Sequence, residues 1–350
     1  MGTQTPTPCS IRRGGTLKGL YTLAQNIPRD IVTRDAVLTA LIGIPDAQQI
    51  DGLRCAHLLN SKVAIISPSS HLDADADYLF LQLGTTEPVV SESQNSGNLL
   101  AAADDIVIEA NLFDAQPGIT NVGVHMLNTA SLAVVRTPTP EREVEYAGEA
   151  RIDGVPNTSA PILIDFLDVA CGSCGALLPT DQAVDAIEGI HTTLIDNGMP
   201  VVLMCASDLG VSGYEPLSEL EVNTALSARI ESIRPVAGWL MNLGDVTHKS
   251  VPKMCIISLP LAGGALCTRT YIPHRVHEAI SAFSAVSVAT ACLLPKAVAS
   301  TMVEEVVETG EHALRIEHST GSVDVQIKLD QMDGHLSVKR SAYCGPHACS

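Results

Sequence analysis

Basic residues are scarce in this chain: 21 lysines and arginines stand against 39 acidic residues in 350, a formal charge of −18. With so few cations, no Lys/Arg cluster can neutralise a phosphate backbone, which argues against a nucleic-acid partner. An anionic ligand would need a local electropositive pocket set against the overall field. Aromatics are scarcer still at 3%, so a core must be assembled from Ala, Val, Leu and Ile. No apolar run approaches the ~20 residues that span a bilayer. The opening Met1-Gly2-Thr3-Gln4-Thr5-Pro6 lacks the apolar segment of a signal peptide. A soluble, cytoplasmic protein with no membrane partner is therefore expected.

What is present suffices for a packed interior. Hydrophobic residues make up 46% and the mean hydropathy is +0.22, and the length suggests two domains or one large one. Ten cysteines without a secretion signal read as reduced, mostly small buried hydrophobes. Cys171-x2-Cys174 has no second pair at zinc spacing, and the terminal Cys344, His347 and Cys349 read as a frayed tail. No metal and no cofactor are expected.

Patterning predicts a helix over 34–42 with Thr33 as N-cap and Gly43 just past its end. Strands are predicted at 62–68, 77–83, 121–127 and 132–136; in the second of these Tyr78, Phe80 and Gln82 alternate with Leu79, Leu81 and Leu83. Thr137-Pro138-Thr139-Pro140-Glu141 reads as a domain linker. Beyond it, strands are expected at 143–153, 162–167, 201–205, 254–259 and 267–271, a helix then a strand over 182–197, and a helix over 218–237. Arg13-Gly14-Gly15-Thr16-Leu17-Lys18-Gly19 is glycine-rich but lacks phosphate-loop spacing, so a nucleotide site is rejected.

Two small-residue apolar runs, 101–110 and 281–294, read as buried helices. The first follows the polar turn Gln94-Asn95-Ser96-Gly97-Asn98, with Asn95 or Ser96 as its cap. A helix start presents unpaired N–H groups that can hold a carboxylate or a developing oxyanion. Two halves, each with many strands and one such helix, suggest pseudo-twofold domains.

Many co-linear segments carry a resemblance. They include Arg34-Asp35-Ala36-Val37-Leu38, Gln49-Ile50-Asp51-Gly52-Leu53, Ser61-Lys62-Val63-Ala64-Ile65, Arg151-Ile152-Asp153-Gly154-Val155-Pro156, Ile195-Asp196-Asn197-Gly198-Met199-Pro200 and Ser287-Val288-Ala289-Thr290-Ala291. Through them the chain resembles the PrpF family of cofactor-independent isomerases, which includes 2-methylaconitate isomerase, methylitaconate Δ-isomerase and 4-oxalomesaconate tautomerase, and it is most like the tautomerase branch. The resemblance implies an α+β, diaminopimelate-epimerase-like fold of two pseudo-symmetric domains, 1–140 and 141–350, each a curved, mostly antiparallel sheet around a central helix. The C-terminal segment could pack back on the first domain, and the active site is expected in the cleft between them.

The same resemblance implies a proton-transfer pair at Lys62 and Ser96, the second standing where the family has cysteine in Asn-Cys-Gly-Asn. Leu17 stands where the family has serine, and Arg54-Cys55-Ala56-His57-Leu58 replaces Gly-Gly-Ala-Thr-Ser. The family reaction shifts a C=C bond by allylic 1,3-proton transfer in a small unsaturated di- or tricarboxylic acid. A serine hydroxyl cannot lose its proton unaided, so Lys62 is expected to be the acid/base and Ser96 a donor or relay, or Ser96 merely caps its helix. Desolvation, or nearby Lys18, Arg54 or Arg275, would lower the Lys62 pKa.

Expected substrate contacts are Thr16, Leu17, Lys18, Arg54, Cys55, His57, Asn95, Gly97, Asn98, Arg275, His277 and Ser287. Several of these read equally as structural or solvated residues, and Cys55 reads first as an inert buried thiol. Two other readings stand beside the isomerase: a re-purposed scaffold serving a different biosynthetic reaction, and a non-catalytic polycarboxylate binder. The oligomeric state is open, a homodimer being one candidate.

Overall fold

The computed structural model describes residues 5–46, 49–53, 61–84, 87–92, 94–167, 172–272, 275–303, 309–332 and 335–349. Two compact units emerge. The first comprises Met1–Arg151, Asn157–Ile164 and Gly345–Ser350, and the second Ile152–Pro156 and Asp165–Cys344.

The first unit holds β1 (Ser10–Gly14), β2 (Leu17–Leu23), α1 (Ile31–Ile42), β3 (Lys62–Pro68), β4 (Ala76–Leu83), β5 (Val90–Ser91), α2 (Gly97–Leu100), α3 (Ala103–Glu109), β6 (Gly118–Met126) and β7 (Ser131–Thr139). After β8 (Pro161–Leu167), the second unit holds β9 (Asp185–Ile187), β10 (Ile190–Asp196), β11 (Pro200–Cys205), α4 (Leu217–Val222), α5 (Thr224–Leu240), β12 (Lys253–Ser258), β13 (Leu266–Ile272), β14 (Arg275–Val276), α6 (Ala282–Leu293), β15 (Gly310–His318), β16 (Gly321–Met332) and, as far as Cys344, β17 (His335–Cys349), whose remainder belongs to the first unit.

The two units repeat one topology. In the first, β1–β2, β3–β4 and β6–β7 are antiparallel, while β2–β3 and β4–β6 are parallel. In the second, β10–β11, β12–β13 and β15–β16 are antiparallel, while β11–β12 and β13–β15 are parallel. Parallel neighbours need a crossover, and helices supply it in each case: α1 and α2/α3 in one unit, α4/α5 and α6 in the other. Lys62 and Lys253 therefore open topologically equivalent strands, and α2/α3 is the counterpart of α6.

All twelve residues of α6 are buried, the small hydroxyl residues among them included, and Ser281 caps it by accepting from Ser284 N at 3.3 Å. The helix expected over 101–110 is present as α3, starting two residues later, and a separate turn, α2, precedes it. α2 is a single turn ending at Ala101, and the backbone leaves helical geometry at Ala102 (φ −129°, ψ 12°) before α3 begins.

Several expectations need correction. Asp30, not Thr33, caps α1, its carboxylate accepting from Thr33 N at 2.8 Å; Gly43 does end that helix in left-handed geometry. Thr137–Thr139 is not a linker but the end of β7, paired with Gly118–Thr120. Residues 143–153 form no strand beyond one bridge, Ala150 to Ser159. In 182–197 the expected strand is β10, but the helix expected before it is the short strand β9, held by antiparallel pairing with β10. Asn223 divides the helix expected over 218–237 and caps its second part. The tail read as frayed is the end of β17, with His347, Ala348 and Cys349 opposite Gly14, Arg13 and Arg12.

Close backbone approach sets the hairpin between β1 and β2. Gly15 takes φ +58° in its two-residue turn, and a Cβ on Gly14 would sit 2.0 Å from the Asn98 carbonyl oxygen. That atom is backbone, so it cannot step aside. Gly14→Ala is expected to lower stability by about 3 kcal/mol, read from the urea midpoint, with α2 displaced.

Candidate active site

The first unit brings together the hairpin tip and the start of α2. Ser96, 8% exposed, is the N-cap: its Oγ accepts from Leu99 N at 3.4 Å, and its carbonyl accepts from Leu100 N at 3.0 Å. Two buried tyrosines pin the same turn from the sheet. Tyr78 Oη donates to Ser96 O at 3.2 Å, and Tyr21 Oη donates to Leu99 O at 2.5 Å. Burial holds both phenols far above their ordinary pKa, so they act as neutral donors.

Neighbouring polar side chains converge here. Asn98 Nδ2 donates to Thr16 Oγ1 at 3.1 Å, tying α2 to the hairpin, and Asn95 Nδ2 donates to Thr129 Oγ1 at 2.6 Å. Gln94 Oε1 and Asn95 Oδ1 are buried without a partner among the described residues. Unpaired buried acceptors are costly in a finished core and are expected where a ligand completes the bonding. Gly97 opens the α2 turn and is itself buried.

Lys62 opens β3, directly opposite Gln82 of β4. Paired residues on antiparallel strands point to one face, and side chains alternate, so Lys62, Gln82, Phe80 and Tyr78 share a face. Tyr78 on that face touches the Ser96 carbonyl. Lys62 Nζ donates to Gln82 Oε1 and lies 5.6 Å from the centre of the Phe80 ring. Burial pushes its amine down to about 8, so close to neutral pH it can both take up and release a proton. Desolvation, one of the causes expected from the sequence, accounts for this shift; Lys18 does not enter it, and Arg54 lies outside the described residues.

Behind the turn, Asp104 and Asp105 are fully buried on α3. Burial, then repulsion from Asp105, raises the Asp104 carboxyl far above its usual range, so it is neutral. Arg12 lies 3.6 Å from Asp105 and also bonds Glu109 and Tyr146.

The remaining expected contacts are placed differently. Leu17 is buried beside the tip and Lys18 is exposed. Arg54, Cys55 and His57 lie outside the described residues. In the second unit, Arg275 is exposed, 3.5 Å from Glu221, while His277 is buried and its Nδ1 accepts from Ala279 N at 2.9 Å. Ser287 is buried in mid-α6, donating to Met199 O at 2.8 Å and accepting from Asn197 N at 3.2 Å. These bonds lock the Asn197-Gly198-Met199-Pro200 turn onto the helix, a structural employment of that hydroxyl. Asn197 Nδ2 extends the lock to Thr290 and Ser341. Cys174, the described half of Cys171-x2-Cys174, is a buried thiol, and among the described residues no group of three or more His, Cys, Asp or Glu could hold a metal. No helix among them is long and apolar enough to cross a membrane.

Sequence reasoning missed Tyr21, Tyr78 and Gln82. The alternation Tyr78, Phe80, Gln82 was the available signal, because it puts a polar amide on an aromatic face.

Comparison with known proteins bears on the whole chain. It is 46% identical to 4-oxalomesaconate tautomerase of Pseudomonas putida over 98% of this chain and 99% of that one. It is 49% identical to (4E)-oxalomesaconate Delta-isomerase of a Novosphingobium species over 94% and 92%. A crystal structure of methylitaconate-delta-isomerase matches with TM-score 0.80 at 28% identity, covering 98% of this chain and 93% of that one. The fold is accordingly diaminopimelate-epimerase-like, as the resemblance implied, and the enzyme is an isomerase. The PrpF protein family model matches residues 4–344, and the chain belongs to that family.

Proposed function

We propose that this isomerase transposes the C=C bond of 4-oxalomesaconate or a closely similar unsaturated tricarboxylate by 1,3-proton transfer. Lys62 is the acid/base and Ser96 the donor or relay. The neutral Lys62 amine takes the allylic proton, breaking the C–H bond, and the electron pair delocalises into a dienolate. A proton then returns one double bond away, so the reaction balances with no other reactant. The dienolate's oxygens gather charge, and hydrogen-bond donors at the α2 start stabilise it. Because α2 is one turn long, this stabilisation comes from local donors rather than from a long helix dipole.

One observation carries the reading: a buried lysine whose partners are a neutral amide and an aromatic face, its amine near 8, on the sheet face that pins the Ser96 turn. The names of the relatives agree and disfavour a re-purposed scaffold or a silent binder. Incubation with 4-oxalomesaconate in deuterium oxide should move the double bond and incorporate solvent deuterium at the carbon that gains the proton. Unchanged 4-oxalomesaconate without deuterium would sink the reading.

A further inference from the structure

Gln82 is the side chain that the proton-transfer scheme leaves unused although it touches the reacting amine. A carboxamide has two N–H donors and one acceptor oxygen. Both Gln82 donors are committed: Nε2 donates to Ser61 O and to Leu83 O, each at 3.0 Å. Rotating the amide by half a turn would set its oxygen against two carbonyl oxygens. The orientation is thus determined by backbone, and Oε1 has to face Lys62 Nζ.

The identity of this partner matters as much as its direction. A carboxylate here would hold Lys62 protonated, whereas an apolar residue would leave its ammonium form without an acceptor. The elements packed against β3 carry other ionisable groups: Lys18 and Tyr21 on β2, Asp77 and Tyr78 on β4, Asp104, Asp105 and Glu109 on α3, Arg34 and Asp35 on α1. Burial alone accounts for the lowered Lys62 amine, so none of these supplies it with a counter-ion. Asp77 is engaged elsewhere, by Ser69 at 2.6 Å and His125 at 3.1 Å.

We propose that Gln82 is a positioning residue for Lys62: its backbone-locked carboxamide aims the amine and presents it with a neutral acceptor in place of a counter-ion. This rests on the reading of Lys62 as the acid/base. A carboxamide poised this way suits a base that must lose and regain one proton in each turnover.

The test compares Gln82→Glu and Gln82→Met. The Lys62 Nζ titration is followed by NMR on lysine-labelled protein, assigned with Lys62→Met, beside the pH profile of kcat/KM on 4-oxalomesaconate and the melting temperature. In Gln82→Glu the Nζ midpoint and the acid limb should both rise by about one pH unit or more, with about tenfold lower kcat/KM at neutral pH. In Gln82→Met both should fall below the wild-type value, and kcat should drop more than KM changes. A Gln82 that only braces the strand would lower the melting temperature in both variants with the midpoint unmoved, and that result overturns the proposal. Midpoints that move in opposite directions while the acid limb stays put would uphold Gln82 and refute Lys62 as the base. Should Gln82→Glu fail to fold, an unmoved midpoint in Gln82→Met overturns the proposal by itself.

Discussion

Lys62→Met should cost the isomerase on the order of 10²–10⁴ in kcat, the usual contribution of a positioned acid/base, and yet yield a more stable protein. The stability gain follows from linkage. An unfolded lysine titrates near 10.5, and the folded amine titrates at about 8. Below pH 8 the amine is charged in both states, so the folded protein bears the full cost of burying that charge. Between 8 and 10.5 the folded protein sheds its proton first, and the cost disappears as pH rises. A gap of this size corresponds to about 3 kcal/mol at neutral pH, offset by roughly 1 kcal/mol for the lost bond to Gln82. Urea midpoints should therefore favour Lys62→Met at pH 7, and the advantage should shrink as pH rises and give way towards pH 10.5 to a small deficit from the lost bond. Retained deuterium exchange in Lys62→Met, or a stability advantage that grows with pH, would contradict this account.

Ser96 separates capping from proton transfer because the two depend on different properties of one atom. As an N-cap, Oγ must accept from Leu99 N, and Ser96→Ala should cost about 1 kcal/mol of stability. As a relay, Oγ must hand on a proton, and the same substitution should lower kcat by about 10²-fold. Ser96→Cys pulls these effects apart. Sulfur caps poorly, so the stability loss should resemble that of alanine, but a thiol with a pKa of about 8.5 ionises without help. The cysteine variant is thus expected to turn over at least as fast as the serine enzyme, read by solvent-deuterium incorporation. A cysteine variant as slow as Ser96→Ala would confine Ser96 to capping.

Where alternation or composition was local and strong, the chain could be read directly. Residues 62–68 form β3 with the expected bounds, Ser281 and the small-residue run after it form a capped buried helix, and Gly43 ends α1. The duplicated layout was also legible, since each half carries its own helix-bearing crossover. The family resemblance, rather than any spacing, pointed to Lys62 and Ser96.

Other features depended on partners distant in sequence. The terminal strand is ordered by pairing with β1, more than 300 residues earlier. The break at Ala102 left no mark in a run of alanines that all favour helix. Sequence alone determined which residue types line the site: a lysine at a strand start, a serine before a glycine turn, and asparagines on either side. The tertiary structure decided their chemistry. Antiparallel register set Gln82 opposite Lys62, burial with no counter-ion among the described residues brought the amine near neutral pH, and two buried tyrosines fixed the turn that holds Ser96. Proton affinity is set by solvation and by neighbours in space, and neither exists until the sheet has formed.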